Sequence, residues 1–156
     1  MKKIYRILDF IIIGFSIFVI QKKYREIETL RKKVQNAINM YKTVYQWINV
    51  KLDQEKIENY FLDRGFCKVA VYGMGDLGNL FLRELQKSGN VKIIYGIDKN
   101  AGAIISEIPI VKPECVDNES DVVVVTILEE FETIKSSLTL YTNAKIISLE
   151  DVVYNL

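Results

Sequence analysis

The sequence predicts an α/β fold, a Rossmann-like five-stranded, mostly parallel sheet with flanking helices, preceded by a long N-terminal helical segment. Three observations carry this prediction. From residue 65 onward, apolar runs alternate with amphipathic segments, the pattern of strands joined by crossover helices. The run Val122-Val123-Val124-Val125 ending in Thr126 is apolar without alternation, as in a strand buried on both faces. Between Lys22 and Arg64 there is neither proline nor glycine, and apolar residues recur at helical spacing. The 156 residues accommodate one compact domain and an extension, but not two full domains.

The elements follow in chain order. Met1-Lys2-Lys3 and Arg6 precede an uncharged run from Phe10 to Ile20, closed by Lys22-Lys23-Tyr24-Arg25. That run is short for a membrane span. Extending it back to Ile4 gives about 25 Å of helix but takes in Arg6 and Asp9, the lower limit for spanning. A signal peptide fits the basic start, yet no small-residue cleavage site follows. Residues 1–20 therefore form an apolar helix and a candidate membrane anchor. Contact through residues 4–20 would set aliphatic and Phe side chains at the acyl boundary and Lys/Arg at anionic headgroups. A buried or oligomer-forming helix is the alternative.

Residues 21–64 form a helical, coiled-coil-like segment. Ile27, Leu30, Val34, Ala37, Tyr41, Val44 and Ile48 follow an unbroken 3-4 spacing, the seam of coiled-coil contacts, which predicts a homo-oligomer or a helical partner through residues 27–48. Glu26 and Arg31 flank the first part, placed for a charge pair across two parallel helices. Ile38, Met40, Tyr45 and Trp47 widen the second part, so that half docks on a bundle, a dimer partner or the C-terminal domain. Leu52 slips the phase, and Ile57, Tyr60, Phe61 and Leu62 mark a short second helix before Gly65.

Residues 65–156 form the sheet domain. Strands are predicted at Lys68 to Tyr72, Val91 to Ile97, Ile108 to Val111, Val122 to Thr126 and Lys145 to Leu149. Helices are predicted at Asp76 to Lys87 and Glu129 to Leu140. Gly73-Met74-Gly75-Asp76-Leu77-Gly78 leaves the first strand as a GxGxxG turn, and Asp98 ends the second strand twenty residues on. In a dinucleotide site of this spacing the first glycine makes the turn, the second admits the pyrophosphate and the third lets helix and sheet pack. The phosphates sit at the helix N-terminus, here on the amides of Met74 to Leu77. Asp98 would accept from ribose hydroxyls and repel a 2′-phosphate, favouring NAD, whereas Lys99 would tolerate a phosphate. The site falls between the ends of the first and fourth strands, which Thr126 would approach. Two plainer alternatives stand: Asp98 caps its own turn with Asn100, and the glycines make a tight turn in a sheet that binds nothing.

Composition narrows the chemistry. The absence of histidine removes the imidazole base and the commonest zinc ligand. Cys67 and Cys115 lack metal-type spacing and are expected as free thiols. Tyr95 and Lys99 have the Tyr-x-x-x-Lys spacing of short-chain dehydrogenases but run along the second strand, on the adenosine side. Glu129, Glu130 and Glu132 suit a helix start better than paired catalytic carboxylates. No catalytic and no metal-binding residues are expected. Residues 1 to 67 hold thirteen Lys/Arg against seven Asp/Glu, and the remainder eight against thirteen, so the basic half is the one suited to an anionic surface.

Lys68-Val69-Ala70-Val71-Tyr72 with the glycine turn, Tyr95-Gly96-Ile97-Asp98-Lys99-Asn100, Ile108-Pro109-Ile110-Val111 and Ile146-Ile147-Ser148-Leu149-Glu150-Asp151 carry a resemblance over residues 67 to 154. It is to the small Rossmann-like modules of bacterial surface-polysaccharide proteins, which also precede the catalytic domain of membrane-bound nucleotide-sugar dehydratases. The resemblance implies a nucleotide site at Gly73, Gly75, Gly78 and Asp98, with NAD or a nucleotide-sugar as ligand. It departs at Lys99, where the family has a second acid, and at Glu107, where it has glycine. The resulting expectation is a non-catalytic nucleotide-binding module, cytoplasmic at the inner face of the cell membrane, with no nucleic-acid partner. A small NAD-dependent oxidoreductase completed by a partner chain, and a ligand-sensing domain like those of cation transport systems, are the alternatives.

Overall fold

A computed structural model describes residues 2–156, with side chains from Ile13 onward. Helix α1 (Lys2–Leu52) runs without interruption, as its lack of proline and of interior glycine after Gly14 allows. Packing divides the chain into Met1–Asn39 and Met40–Leu156.

Residues 2–39 of the first unit are helix, continuous through residue 20, where the sequence suggested a boundary. Its apolar side chains Ile13, Phe15, Ile17, Phe18, Val19 and Ile20 are exposed, as are Ile27, Leu30 and Val34 further on. Lys23 pairs with Glu26 one turn away at 2.8 Å. The side chains of residues 4–12, half of the candidate anchor, lie outside the described residues. No helix among the described residues is long and apolar enough to cross a membrane.

Met40–Leu156 is a five-stranded sheet between two helical layers. Strands β1 (Lys68–Tyr72), β2 (Lys92–Ile97), β3 (Ile110–Val111), β4 (Val122–Val125) and β5 (Lys145–Ser148) lie in the order β3-β2-β1-β4-β5. Every pairing is parallel, so the expected mostly parallel sheet is wholly so. Strand order reverses between β1 and β4, which align Val69 with Val122 and Tyr72 with Val125. Because β1 and β4 are central, all their residues but the exposed Lys68 are buried, which accounts for their valine content.

One face of the sheet is covered by α3 (Asp76–Leu85), α2 (Ile57–Leu62), α5 (Leu149–Tyr154) and the last turns of α1, the other by α4 (Phe131–Leu138). The first layer centres on Phe81, which meets Trp47 edge-on at 6.1 Å and Phe61 at 6.0 Å. Trp47, Val50, Ile57, Tyr60 and Phe61 are all buried, so the compact unit begins at Met40 and not at residue 65. The physical reason is that α3 alone leaves Phe81 and Leu85 uncovered. Among the residues predicted to widen this docking half, Trp47 is buried, whereas Met40 and Tyr45 are exposed. The stripe that docks holds Thr43, Trp47 and Val50, with Thr43 donating to Glu150.

Several boundaries shift for local reasons. β3 is shorter than predicted because Pro109 has no N–H, although its carbonyl accepts from Gly96. The acids Glu129 and Glu130 sit in a 3-10 turn, Leu128–Glu130, before α4 begins at Phe131. Helix α5 starts with a capping box in which Ser148 and Asp151 cap each other's backbone amides at 3.0 and 3.2 Å.

Candidate functional site

The glycine turn, Asp98 and Thr126 converge at the carboxyl ends of β1, β2 and β4, beside the reversal of strand order. That is where open parallel sheets hold ligands. At the end of β1, Gly73 adopts φ +91°, a conformation that L side chains rarely take, and its amide donates to the Ile97 carbonyl at 2.9 Å. The turn is thereby stitched to the end of β2. Gly78 lies in the first turn of α3 directly against the Gly73 carbonyl, and a Cβ there would overlap that oxygen. The third glycine thus brings helix and turn together, as its spacing predicts.

Gly75 differs from both. It is the N-cap of α3 at φ −77°, an ordinary conformation, and nothing lies within 4 Å of the position a Cβ would take. Neither packing nor backbone geometry requires glycine at this point. With Asp76 it forms the exposed lip of the turn, and no side chain caps the α3 amides behind it. The first amides of a helix have no intrahelical acceptor, so at this end they are left without a side-chain partner.

The remaining predicted residues divide between site and scaffold. Asp98 Oδ2 accepts from the Met74 amide at 3.1 Å, and Oδ1 accepts from the Asn100 amide at 2.8 Å. The carboxylate therefore caps its own turn and also ties it to the glycine turn. Two oxygens offer about four acceptor positions, so capacity remains on both. The Met74 amide is occupied by this bond and so differs from its expected phosphate-binding role. The Met74 side chain is buried against Gly96, where a Cβ would lie 2.8 Å from its sulfur. Leu77 packs against the core. Lys99 is exposed on the loop after β2.

Thr126 lies beneath the turn and not at its opening. Its buried hydroxyl is within hydrogen-bond reach of the Tyr72 carbonyl at 3.1 Å and the Gly73 carbonyl at 2.6 Å. It holds the first glycine in place from below. The expectation that Thr126 approaches a ligand is corrected on this point, because the hydroxyl is already committed to the backbone.

Sequence reasoning passed over three contributors. Asn79 donates from Nδ2 to the Met74 carbonyl at 3.0 Å, pinning the turn to α3. Gly96 clears the space that Met74 fills. Tyr72 ends β1 with a hydroxyl pushed above the usual tyrosine range, first by burial and then by the carboxylates of Asp98 and Glu130. Carboxylates from two loops thus act on this end of the sheet. A glycine within a strand signals close approach and pointed to Gly96, whereas no short-range pattern marks Asn79.

Among the described residues, no group of three or more His, Cys, Asp or Glu side chains is placed to hold a metal ion. Cys67 and Cys115 are free and exposed. No protein-family model matches the chain, and no curated protein matches it.

Proposed function

We propose that the protein is a non-catalytic nucleotide-holding module whose ligand lies across Gly75 and Asp76, with its diphosphate on the α3 N-terminus and a ribose on Asp98. The observation that carries this reading is the open space over Gly75. Gly73 and Gly78 are glycines that the fold requires, whereas a Cβ at Gly75 would meet nothing, and this opening at the α3 N-terminus, beside Asp98, supports a ligand there. The carboxylates near Tyr72 favour NAD or a nucleotide-sugar over NADP. A holding role is favoured over a reaction because the chain has no histidine and because Tyr95 is spent on Ser120 and the Asp117 carbonyl.

The resemblance of residues 67 to 154 to surface-polysaccharide modules supports an accessory role in capsule or exopolysaccharide assembly. Residues 4–20 would provide association with the inner face of the cell membrane. The test is a thermal-shift titration of the full chain with NAD(H), NADP(H), ADP and nucleotide-sugars. A ligand at a hundredfold its dissociation constant adds about 2.7 kcal/mol of stability. The reading fails if none of them raises the melting temperature.

A further inference from the structure

We infer that the exposed stripe along α1 pairs two copies of this chain as a parallel, in-register coiled coil. The argument starts where α1 meets the sheet. In Met40–Leu156 the helix docks through Thr43, Trp47 and Val50, all buried, while Tyr41 and Ile48 are 67% and 51% exposed. At about 100° per residue these two sets lie roughly 140° apart around the helix. The sheet therefore uses one stripe and leaves the heptad stripe uncovered.

The same 3-4 spacing runs back through Ala37, Val34, Leu30 and Ile27 in Met1–Asn39, where all four are exposed. Continued toward the N-terminus it reaches Ile20 and Ile13, both 55% exposed. The positions seven apart are then Ile13, Ile20, Ile27, Val34, Tyr41 and Ile48, five of them β-branched. β-branched residues at these positions, with Leu30 between two of them, favour a two-stranded parallel pairing. Ser16 and Lys23 also fall on the stripe, and polar residues there restrict the pairing at some cost in stability.

Charge selects the occupant. Glu26 and Arg31 flank the stripe five residues apart, and across two parallel helices in register Glu26 of one copy faces Arg31 of the other, twice by symmetry. An antiparallel arrangement separates these charges. A lipid surface fits this stretch less well, because Tyr24, Ile27 and Leu30 are the only large apolar residues between Lys22 and Lys33.

The experiment uses the full chain in detergent-free buffer. Sedimentation equilibrium should give twice the 18.1 kDa chain mass. Leu30→Asp should raise the dimer dissociation constant at least tenfold while leaving Trp47 fluorescence unchanged, since Leu30 is no part of the sheet's core. Glu26→Arg should weaken the dimer and the added Arg31→Glu restore it. With Cys67→Ser and Cys115→Ser in place, Val34→Cys should oxidise to an intermolecular disulfide. A monomer at tens of micromolar, no rescue by the double charge swap, or no crosslink at residue 34 overturns the proposal. So does a monomer that pellets with anionic phospholipid vesicles and loses this on Leu30→Asp.

Discussion

The three glycines of the turn respond differently to a single added methyl group, and the differences separate scaffold from site. At Gly73 a Cβ would lie 2.7 Å from Ile127 Cγ1 and 2.9 Å from Thr126 Oγ1, at φ +91°. The backbone conformation alone costs an L residue about 1–2 kcal/mol, before any contact is relieved. At Gly78 the clash is with the Gly73 carbonyl, which cannot move without straining its 2.6 Å contact with Thr126. Overpacking of this kind costs about 1–3 kcal/mol, and each hydrogen bond lost adds about 1 kcal/mol. At Gly75 the methyl group meets nothing. Loss of chain entropy in the unfolded state gains about 0.4–1 kcal/mol, and the poorer N-cap loses a similar amount. Thermal denaturation of the full chain should therefore lower the melting temperature by roughly 5–10 °C for Gly73→Ala and Gly78→Ala, at about 2–4 °C per kcal/mol, and leave Gly75→Ala within a few degrees of the parent. In the presence of whichever nucleotide stabilises the parent, Gly75→Ala should lose most of that gain. The reasoning is refuted if Gly75→Ala unfolds the domain, or if it keeps full nucleotide stabilisation.

Three further outcomes follow from the packing and the ionisable groups. Trp47→Ala should cost about 3–5 kcal/mol, because the buried indole covers Phe81; urea unfolding followed by far-UV circular dichroism measures it, and a loss below 1 kcal/mol would show that α1 does not belong to this core. Thr126→Val keeps the shape but removes the hydroxyl from the Gly73 carbonyl, whereas the Tyr72 carbonyl still accepts from the residue 126 amide, so the same measurement should give about 1–3 kcal/mol. Burial raises the hydroxyl pKa of Tyr60, Tyr72 and Tyr95, so the fold favours their neutral forms. That contribution is intact below the usual tyrosine pKa of about 10 and is lost as pH climbs through the raised values. Absorbance at 295 nm should show late-ionising tyrosines, with stability falling above pH 10 and flat between pH 6 and 8, where the chain has no histidine to titrate; uniform ionisation near pH 10 in the folded protein would contradict this.

Most of the fold is legible because its signals are local. The unbroken valines of β4, the apolar run of β1 and the glycine turn each declare themselves within a few residues, and together they order the sheet. What escaped was decided by contacts distant in sequence. Nothing near Trp47 indicates that it will cover Phe81, thirty-four residues away. Placing the domain boundary at residue 65 followed from the composition of the helix and missed the need of α3 for a cover. The heptad stripe had the opposite fate. It was readable in the sequence, but which stripe would face the sheet was not, because both the seam and the Thr43-Trp47-Val50 face have helical spacing. Helix α5 had a local signal in Ser148 and Asp151, three residues apart, that strand-based reading of Lys145 to Leu149 absorbed.

The site was legible as a place and not as a division of labour. Glycine spacing and Asp98 located the carboxyl ends of β1 and β2, yet one motif covers three different physical demands. Positive φ explains Gly73, contact with a carbonyl explains Gly78, and Gly75 serves the fold only as the α3 N-cap, with nothing packed against it. Asp98 likewise combines two readings that the sequence set against each other: one oxygen caps the Asn100 turn while the other holds the Met74 amide. An acid that caps the loop keeps its carboxylate at the mouth of the glycine turn whether or not a ribose is present. Asp98→Asn tests this dual role, because it retains an acceptor oxygen but replaces the other with a donor that opposes one of the two amides. Stability should fall by about 1–3 kcal/mol from the unsatisfied amide. Nucleotide stabilisation should fall further still, since the ribose then meets one acceptor in place of two. Equal losses in the free and ligand-saturated protein would make Asp98 a cap alone and leave the α3 N-terminus as the whole of the proposed site.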